Sequence, residues 1–351
     1  MCNSSISLYV VVRRIMATVD PTNRLWHAAQ RGNCAEITAL LRLPFVPRQF
    51  TVAMYVAAYN DHADALALML EWYVAHGRPC DTYVEGRLPV RGFPPLYAAA
   101  ESGSVRAIAV AVAAGETLDE VALCSNGTSV QYGMSSNTTA LVAAVRNQHE
   151  AAVDLLLRAK ASTDLDVADT SCKRASALKT AVHLDCVWAV ERLLEAKADM
   201  HTEIAWPQPG PYMAALKFAV WYHREPACLR ALLDAHANVN DSRYDGFSPL
   251  HVAVYHRRPA SVVCALLAAR ADVEISGGGG PHMRRTAFLM AADHDQPCKA
   301  VLCALLQAKS DIDACDGLGY SPVRRAIRLG YDNTARWLLR AKADLNAPSR
   351  A

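Results

Sequence analysis

Aromatic residues make up only 7% of this 351-residue chain. No apolar run near its start approaches the roughly 20 residues that a bilayer-spanning helix needs. The stretch Leu8–Val12 stops at Arg13 and Arg14, and charges that follow an apolar segment argue against a secretory leader. A charge excess is missing too. Against 36 basic side chains stand 34 acidic ones, for a net charge of +2, so the chain lacks the basic footprint of a specific nucleic-acid binder. Paired cysteines are also absent. The 11 cysteines are scattered from Cys2 to Cys315 without a C-x-x-C spacing, which excludes a disulfide framework and a zinc knuckle. They read as reduced thiols in a cytoplasmic protein, with the nucleus as the alternative compartment. Sequons at Asn3, Asn126 and Asn137 would count only in a secretory protein. Residues 1–19 lack acids and carry serine and arginine, a faint organelle-targeting pattern, and otherwise read as an arm or cap.

Alanine, by contrast, exceeds a sixth of the residues, which favours helices in close approach over strands. Single cores stop growing at about 250–300 residues, so a chain of this length splits into domains or stacks repeated units. A repeat is present. LLLRAKAS (155–162), LLEAKADM (193–200), LLDAHANVN (232–240), LLAARADVE (266–274), LLQAKSDID (305–313) and LLRAKADLN (338–346) vary one phrase. Each follows an alanine-centred phrase such as ALKFAV (215–220) or PLHVAV (249–254), with weaker copies upstream. The shared alanine falls at Ala28, Ala57, Ala99, Ala144, Ala181, Ala219, Ala253, Ala291 and Ala326, which predicts about nine units. Within a unit the apolar residues have helical spacing twice, as in Leu141, Ala144 and Val145, then Ala152, Val153 and Leu156. Two short helices cannot bury their apolar faces alone, but stacked pairs cover one another. Pro226, Pro259 and Pro297 mark the starts of second helices.

Residues 246–272, GFSPLHVAVYHRRPASVVCALLAARAD, resemble the ankyrin repeat with its T-P-L-H-x-A opening, and residues 319–346 follow the same template. The resemblance covers about 21–346. It implies an all-α repeat solenoid of stacked helix–turn–helix units joined by β-hairpin fingers or longer loops. On this reading residues 1–20 form an N-terminal arm, 21–347 the array and 348–351 a tail. Connections at 78–93, 116–138, 199–213 and 272–286 are long, and their Pro and Gly content disfavours ladder pairing. The family usually has glycine after the second helix, in a left-handed conformation. Here Lys160, Lys197, His236, Arg270, Lys309 and Lys342 stand there. A cation beside the terminal carbonyls is worth about 0.3–1 kcal/mol, enough to offset much of the strain; the alternative is a basic ladder for an acidic partner.

Catalytic chemistry finds no foothold. His251 sits at the histidine of the opening motif, where the family residue buttresses a turn. Neither His251 with His256 nor His294 with Cys298 has further ligands at zinc spacing. The glycines at 277–280 lack the Lys and Ser/Thr of a phosphate loop. The expectation is a non-enzymatic scaffold or adaptor with no cofactor, binding partner proteins on its concave, finger-bearing face; the alternative is a recognition subunit of an enzyme complex such as a ubiquitin ligase or kinase. In this family partners contact finger tips and the exposed end of the first helix. Those positions are Trp221 and Tyr222, Tyr255 and His256, Asp293 and His294, and Arg328 and Leu329, with Tyr244, Asp245, Phe247, Arg285 and Tyr320 beside them. Aromatic and arginine side chains there supply large contact energies. The upstream counterparts Glu101, Ser102, Arg146 and Asn147 are smaller or polar.

Overall fold

The computed structural model describes residues 24–42, 50–76, 94–120, 138–164, 176–201, 213–223, 227–243, 246–278, 284–294 and 296–347. The arm, the tail and most of the long connections therefore lie outside the described residues. Eighteen helices occur among the described residues, and they alternate along the chain as first and second members of pairs. They are α1 Arg24–Arg31, α2 Cys34–Leu41, α3 Phe50–Tyr59, α4 Ala63–Ala75, α5 Pro95–Ser102, α6 Val105–Ala113, α7 Ala140–Arg146, α8 Glu150–Arg158 and α9 Ala177–His183. Then follow α10 Val187–Glu195, α11 Ala215–Tyr222, α12 Leu229–Asp234, α13 Pro249–Tyr255, α14 Ala260–Ala268, α15 Ala287–Ala292, α16 Lys299–Gln307, α17 Pro322–Leu329 and α18 Asp332–Arg340. The chain forms two compact units, residues 1–180 with 195–198 and residues 181–194 with 199–351.

The two helices of a pair bury different amounts because they occupy different rows. First helices inside each unit, such as α7 and α13, are covered almost all round: Ala140–Val145 and Pro249–Val254 are all buried. Second helices bury one stripe, such as Ala152, Val153 and Leu156 in α8, or Val262, Val263 and Leu266 in α14. The repeated alanine sits in the tightest place. It is at most 1% exposed at eight of the nine positions and 7% at Ala291. A side chain larger than methyl would hold neighbouring helices apart.

Local signals set the helix boundaries. Thr139 and Thr286 accept from the backbone N–H of Val142 and Leu289 at the starts of α7 and α15. Ser248 and His251 close a capping box on α13, with Ser248 Oγ 2.8 Å from His251 Nδ1. Pro259 lies just outside α14, where its carbonyl accepts from Val262 N–H at 3.0 Å. The left-handed turns fall where the glycine substitutions predicted them: Lys160, Lys197, His236, Arg270, Lys309 and Lys342 have φ between 63° and 67°. After α8, Lys160 N–H bonds to Leu157 O and Ala161 N–H to Leu156 O, each at 3.0 Å, the Schellman closure of a helix end.

Of the two forms expected for the connections, hairpin fingers or longer loops, the described residues show loops. No strand is present among the described residues; Gly277 and Arg285 make an isolated antiparallel bridge with N···O distances of 2.9 and 3.0 Å. Polar side chains close the turns instead. In the second unit Asn238 accepts from Asn240 N–H, Asn240 from Asp272, Asp272 from Glu274 and Glu274 from Asp311. The relay continues through Asp311, Asp313, Asp344 and Asn346. Its bonds span 2.8–3.0 Å and tie each turn to the next pair. A side-chain acceptor does here what a ladder carbonyl would do.

Candidate partner-binding surface

The candidate surface follows from how the first helices of the second unit end. At α11 and α13 the alanine-centred phrase runs into aromatic residues, and their fates diverge. Tyr222 is 37% exposed and Tyr255 66%, whereas Trp221 is half-buried. The Trp221 ring meets the edge of His256 at 4.4 Å. Arg258, from the following pair, donates to the carbonyls of Val220, at 2.8 Å, and of Trp221. Trp221 and its backbone therefore serve packing. Burial, and then the Arg258 charge, hold His256 below the usual imidazole pKa. The Tyr222 ring rests on Phe218 and His183 at 4.8 and 5.0 Å, and burial raises its phenol. Trp206 and Tyr212, the loop aromatics that could cover Trp221, lie outside the described residues.

Asp293, expected to be a contact residue, is a structural node. Its carboxylate accepts from Arg285 at 2.9 Å and from Arg325 at 2.9 and 3.1 Å, and Arg325 also reaches Asp316 at 3.2 Å. The hydrogen bond to Asp293 comes first among the causes that raise the Arg325 pKa. Asp316 in turn accepts from the N–H groups of Leu318 and Tyr320, fixing the turn before α17. Arg285 is thus committed as well, by its side chain to Asp293 and by its carbonyl to His251 Nε2 at 3.0 Å. That last contact is the buttress expected of His251. The His294 carbonyl accepts from Thr334 Oγ1. Phe247 is half-buried with its ring 5.8 Å from His251. Arg328 lies 4.7 Å over the Tyr320 ring, and Leu329 is 44% exposed. Tyr244 and Asp245 lie outside the described residues.

The candidates accordingly separate into two groups. Tyr222, Tyr255, Arg328 and Leu329 face solvent. Trp221, His256, Phe247, Arg285, Asp293 and His294 make internal contacts that hold the backbone beneath them. Sequence reasoning missed two features. Lys179 and Lys217 are buried, at 6% and 1% exposure, in the column two residues before the shared alanine that His251 also occupies. Asp241, 5% exposed, is held below the usual carboxylate pKa by the Arg243 side chain, against burial, with help from the Lys217 charge. A lysine recurring in an otherwise apolar column was the signal. In the first unit, Tyr55 donates to Glu101 at 2.7 Å, so Glu101 is occupied internally. Among the described residues no cluster of three or more His, Cys, Asp or Glu could hold a metal. An open groove between α12 and α14, floored by Leu233, Val262, Ala265 and Ala269, arises where α12 has six residues against nine in α14.

Residues 232–287 match the family model for ankyrin repeats in many copies, and the described helix pairs carry the same alternation through the rest of the chain. Residues 232–287 carry ankyrin repeats. The ankyrin repeat domain of Bcl-3, described as a unique member of the IkappaB protein family, is similar in fold. It has a TM-score of 0.54 at 22% identity over 72% of this chain and 97% of that one. The human ASB11 ankyrin repeat domain aligns at a TM-score of 0.49 and 22% identity, over 74% of this chain and 98% of that one. No curated protein sequence matches. Ankyrin repeats are protein-interaction modules, and no helix among the described residues is long and apolar enough to cross a membrane.

Proposed function

We propose that this ankyrin chain is a non-enzymatic scaffold or adaptor that binds a partner protein on the first-helix ends and turns of its second unit. Tyr255 carries the reading. It is a large aromatic side chain left 66% exposed, with its ring set edge-on to the adjacent His256 at 5.2 Å. Burying such a ring against a partner contributes roughly 1.5–3 kcal/mol. Tyr222, Arg328 and Leu329 lie at equivalent helix ends, and the ionic contacts of Arg285, Asp293 and Arg325 hold the backbone in place before binding. A surface ordered in advance loses less entropy on association.

Affinity capture with the intact chain, read by mass spectrometry, tests the reading. The variant Tyr222→Ala, Tyr255→Ala, Arg328→Ala should retain at least tenfold less of a captured protein, whereas Arg146→Ala in the first unit should retain it. Equal retention by both variants would remove the assignment.

A further inference from the structure

A second surface emerges when each column of the repeat is followed through the second unit. One residue after the shared alanine, Val182 and Val220 are 0% exposed, Val254 6% and Ala292 3%, but Ile327 is 53% exposed. Two residues before that alanine, Lys217, His251 and Leu289 are at most 1% exposed, yet Arg324 faces solvent. In the turn after the second helix, Val239 and Val273 are 9% and 8% exposed against 46% for Leu345. Leu233, Leu267 and Leu306 are half-buried where Leu339 is 47% exposed. The same four columns open together on α17, α18 and the turn that follows α18. They form the side on which each earlier pair receives its neighbour, as the bond from His251 to the Arg285 carbonyl shows.

Three of the four positions keep leucine or isoleucine although about half of each side chain stands open among the described residues. Their surroundings are basic. Arg336 stands one turn before Leu339 on its face of α18, Lys342 follows in the left-handed turn just after the helix, and Arg324 stands three before Ile327 on α17. All three cations are exposed, and the pair supplies only Asp332 and Asp344 as acids. Arg325 points elsewhere, to Asp293 and Asp316. We propose that the open side of α17 and α18 docks an acidic amphipathic helix of a partner protein. Its apolar stripe would cover Ile327, Leu339 and Leu345, and its carboxylates would meet Arg324, Arg336 and Lys342. The helical form follows from the face itself, which in the preceding pairs of the second unit receives helices. The acidic character follows from charge complementarity, which also disfavours a second copy presenting the same cations.

Fluorescence anisotropy with the full chain tests this with two labelled peptides of one helical design, leucine on one face and either glutamate or lysine on the other. The glutamate peptide should bind at least tenfold more tightly than the lysine peptide, and added salt should weaken it. Ile327→Asp with Leu345→Asp should lower its affinity at least tenfold. Arg324→Glu with Arg336→Glu should reverse the preference between the peptides. These positions are exposed, so thermal melting should match the parent chain. Tyr255→Ala should leave peptide binding unchanged, which separates this face from the surface proposed above. Equal binding of the two peptides, or binding indifferent to both double variants, overturns the proposal. So does a concentration-dependent dimer in sedimentation that the Ile327 and Leu345 variant abolishes, which would assign the face to a second copy.

Discussion

In the first unit the ends of the first helices are held by imidazole and hydroxyl side chains. His62 Nε2 lies 3.0 Å from the Gln30 carbonyl and His149 Nε2 lies 3.1 Å from that of Glu101, while Ser104 donates to Tyr59. Each histidine ring sits against a glycine turn, Gly32 or Gly103, so closely that a Cβ would come within 2.6 Å of it. The second unit repeats this once, with His223 on Val182, and otherwise uses charge: Arg258 at the end of α11, and the Arg285, Asp293, Arg325 and Asp316 series at α15 and α17. One structural task is thus performed by two chemistries. At His62 and His149 a glycine turn admits the ring; the ionic closures rest on guanidinium–carboxylate contacts.

Acid should separate the units most. Asp185, Asp241 and His256, all held below their ordinary pKa values, belong to the second unit. For Asp185, burial pushes upward but the N–H groups of Ala227 and Cys228 outweigh it. A depressed pKa in the folded state means that the unfolded chain takes up the proton first. His256 therefore costs stability as pH falls through about 6.5, and the two carboxylates as it falls through about 4 toward their folded values. Hydrogen exchange, corrected for intrinsic rates, should show α11 and α13 losing protection before α3, α5 and α7 as pH drops. Simultaneous opening, or earlier loss in α3–α7, would break the distinction.

Single substitutions test the same contrast on a smaller scale. Asp293→Ala leaves Arg285 without its carboxylate and Arg325 with Asp316 alone. Breaking a fully buried pair costs about 3–5 kcal/mol; because these groups remain 18–24% exposed, about 2–3 kcal/mol is expected. Tyr55→Phe in the first unit removes one bond to Glu101, which can turn to water, and should cost about 1 kcal/mol. Urea unfolding of the two variants gives both values. A Tyr55→Phe loss equal to that of Asp293→Ala would mean that ionic closure has no special weight here.

What the sequence made legible follows the same line. The alanine column identified the helix pairs because the constraint is local and recurs. Left-handed turns at Lys160 through Lys342 were readable because a cation standing in a glycine position marks itself. Tyr255, one residue after its buried phrase, and Tyr222, two after its own, were readable as candidates because the first helix ends there. Asp293 was not, since its partner Arg325 lies 32 residues further on and no periodicity links them. The half-burial of Trp221 was not legible for a similar reason: His256, which its ring meets, and Arg258, which bonds to its carbonyl, come from the next pair. The turn relay left a visible trace in the polar residues two apart, Asn238 and Asn240, Asp272 and Glu274, Asp311 and Asp313, but apolar spacing says nothing about acceptors.

The left-handed turns offer the finest test of the comparison. Gly103, φ 74°, admits the His149 ring, and Gly103→Ala adds a Cβ 2.6 Å from His149 Nδ1. The backbone penalty alone is about 1–2 kcal/mol, and displacing the ring also loses its bond to Glu101 O. Lys309, φ 67°, is an exposed turn residue of the second unit. Lys309→Gly relieves about 1 kcal/mol of left-handed strain but forfeits roughly 0.3–1 kcal/mol of interaction between the cation and the terminal carbonyls, so the net change should be a few tenths of a kcal/mol. Salt resolves the two contributions. Screening weakens the charge–carbonyl attraction but leaves backbone strain untouched, so the glycine variant should gain on the parent as ionic strength rises. Melting curves at low and high salt measure this directly; a salt-independent difference would show that the cation does nothing for the turn and that the second unit simply tolerates the strain.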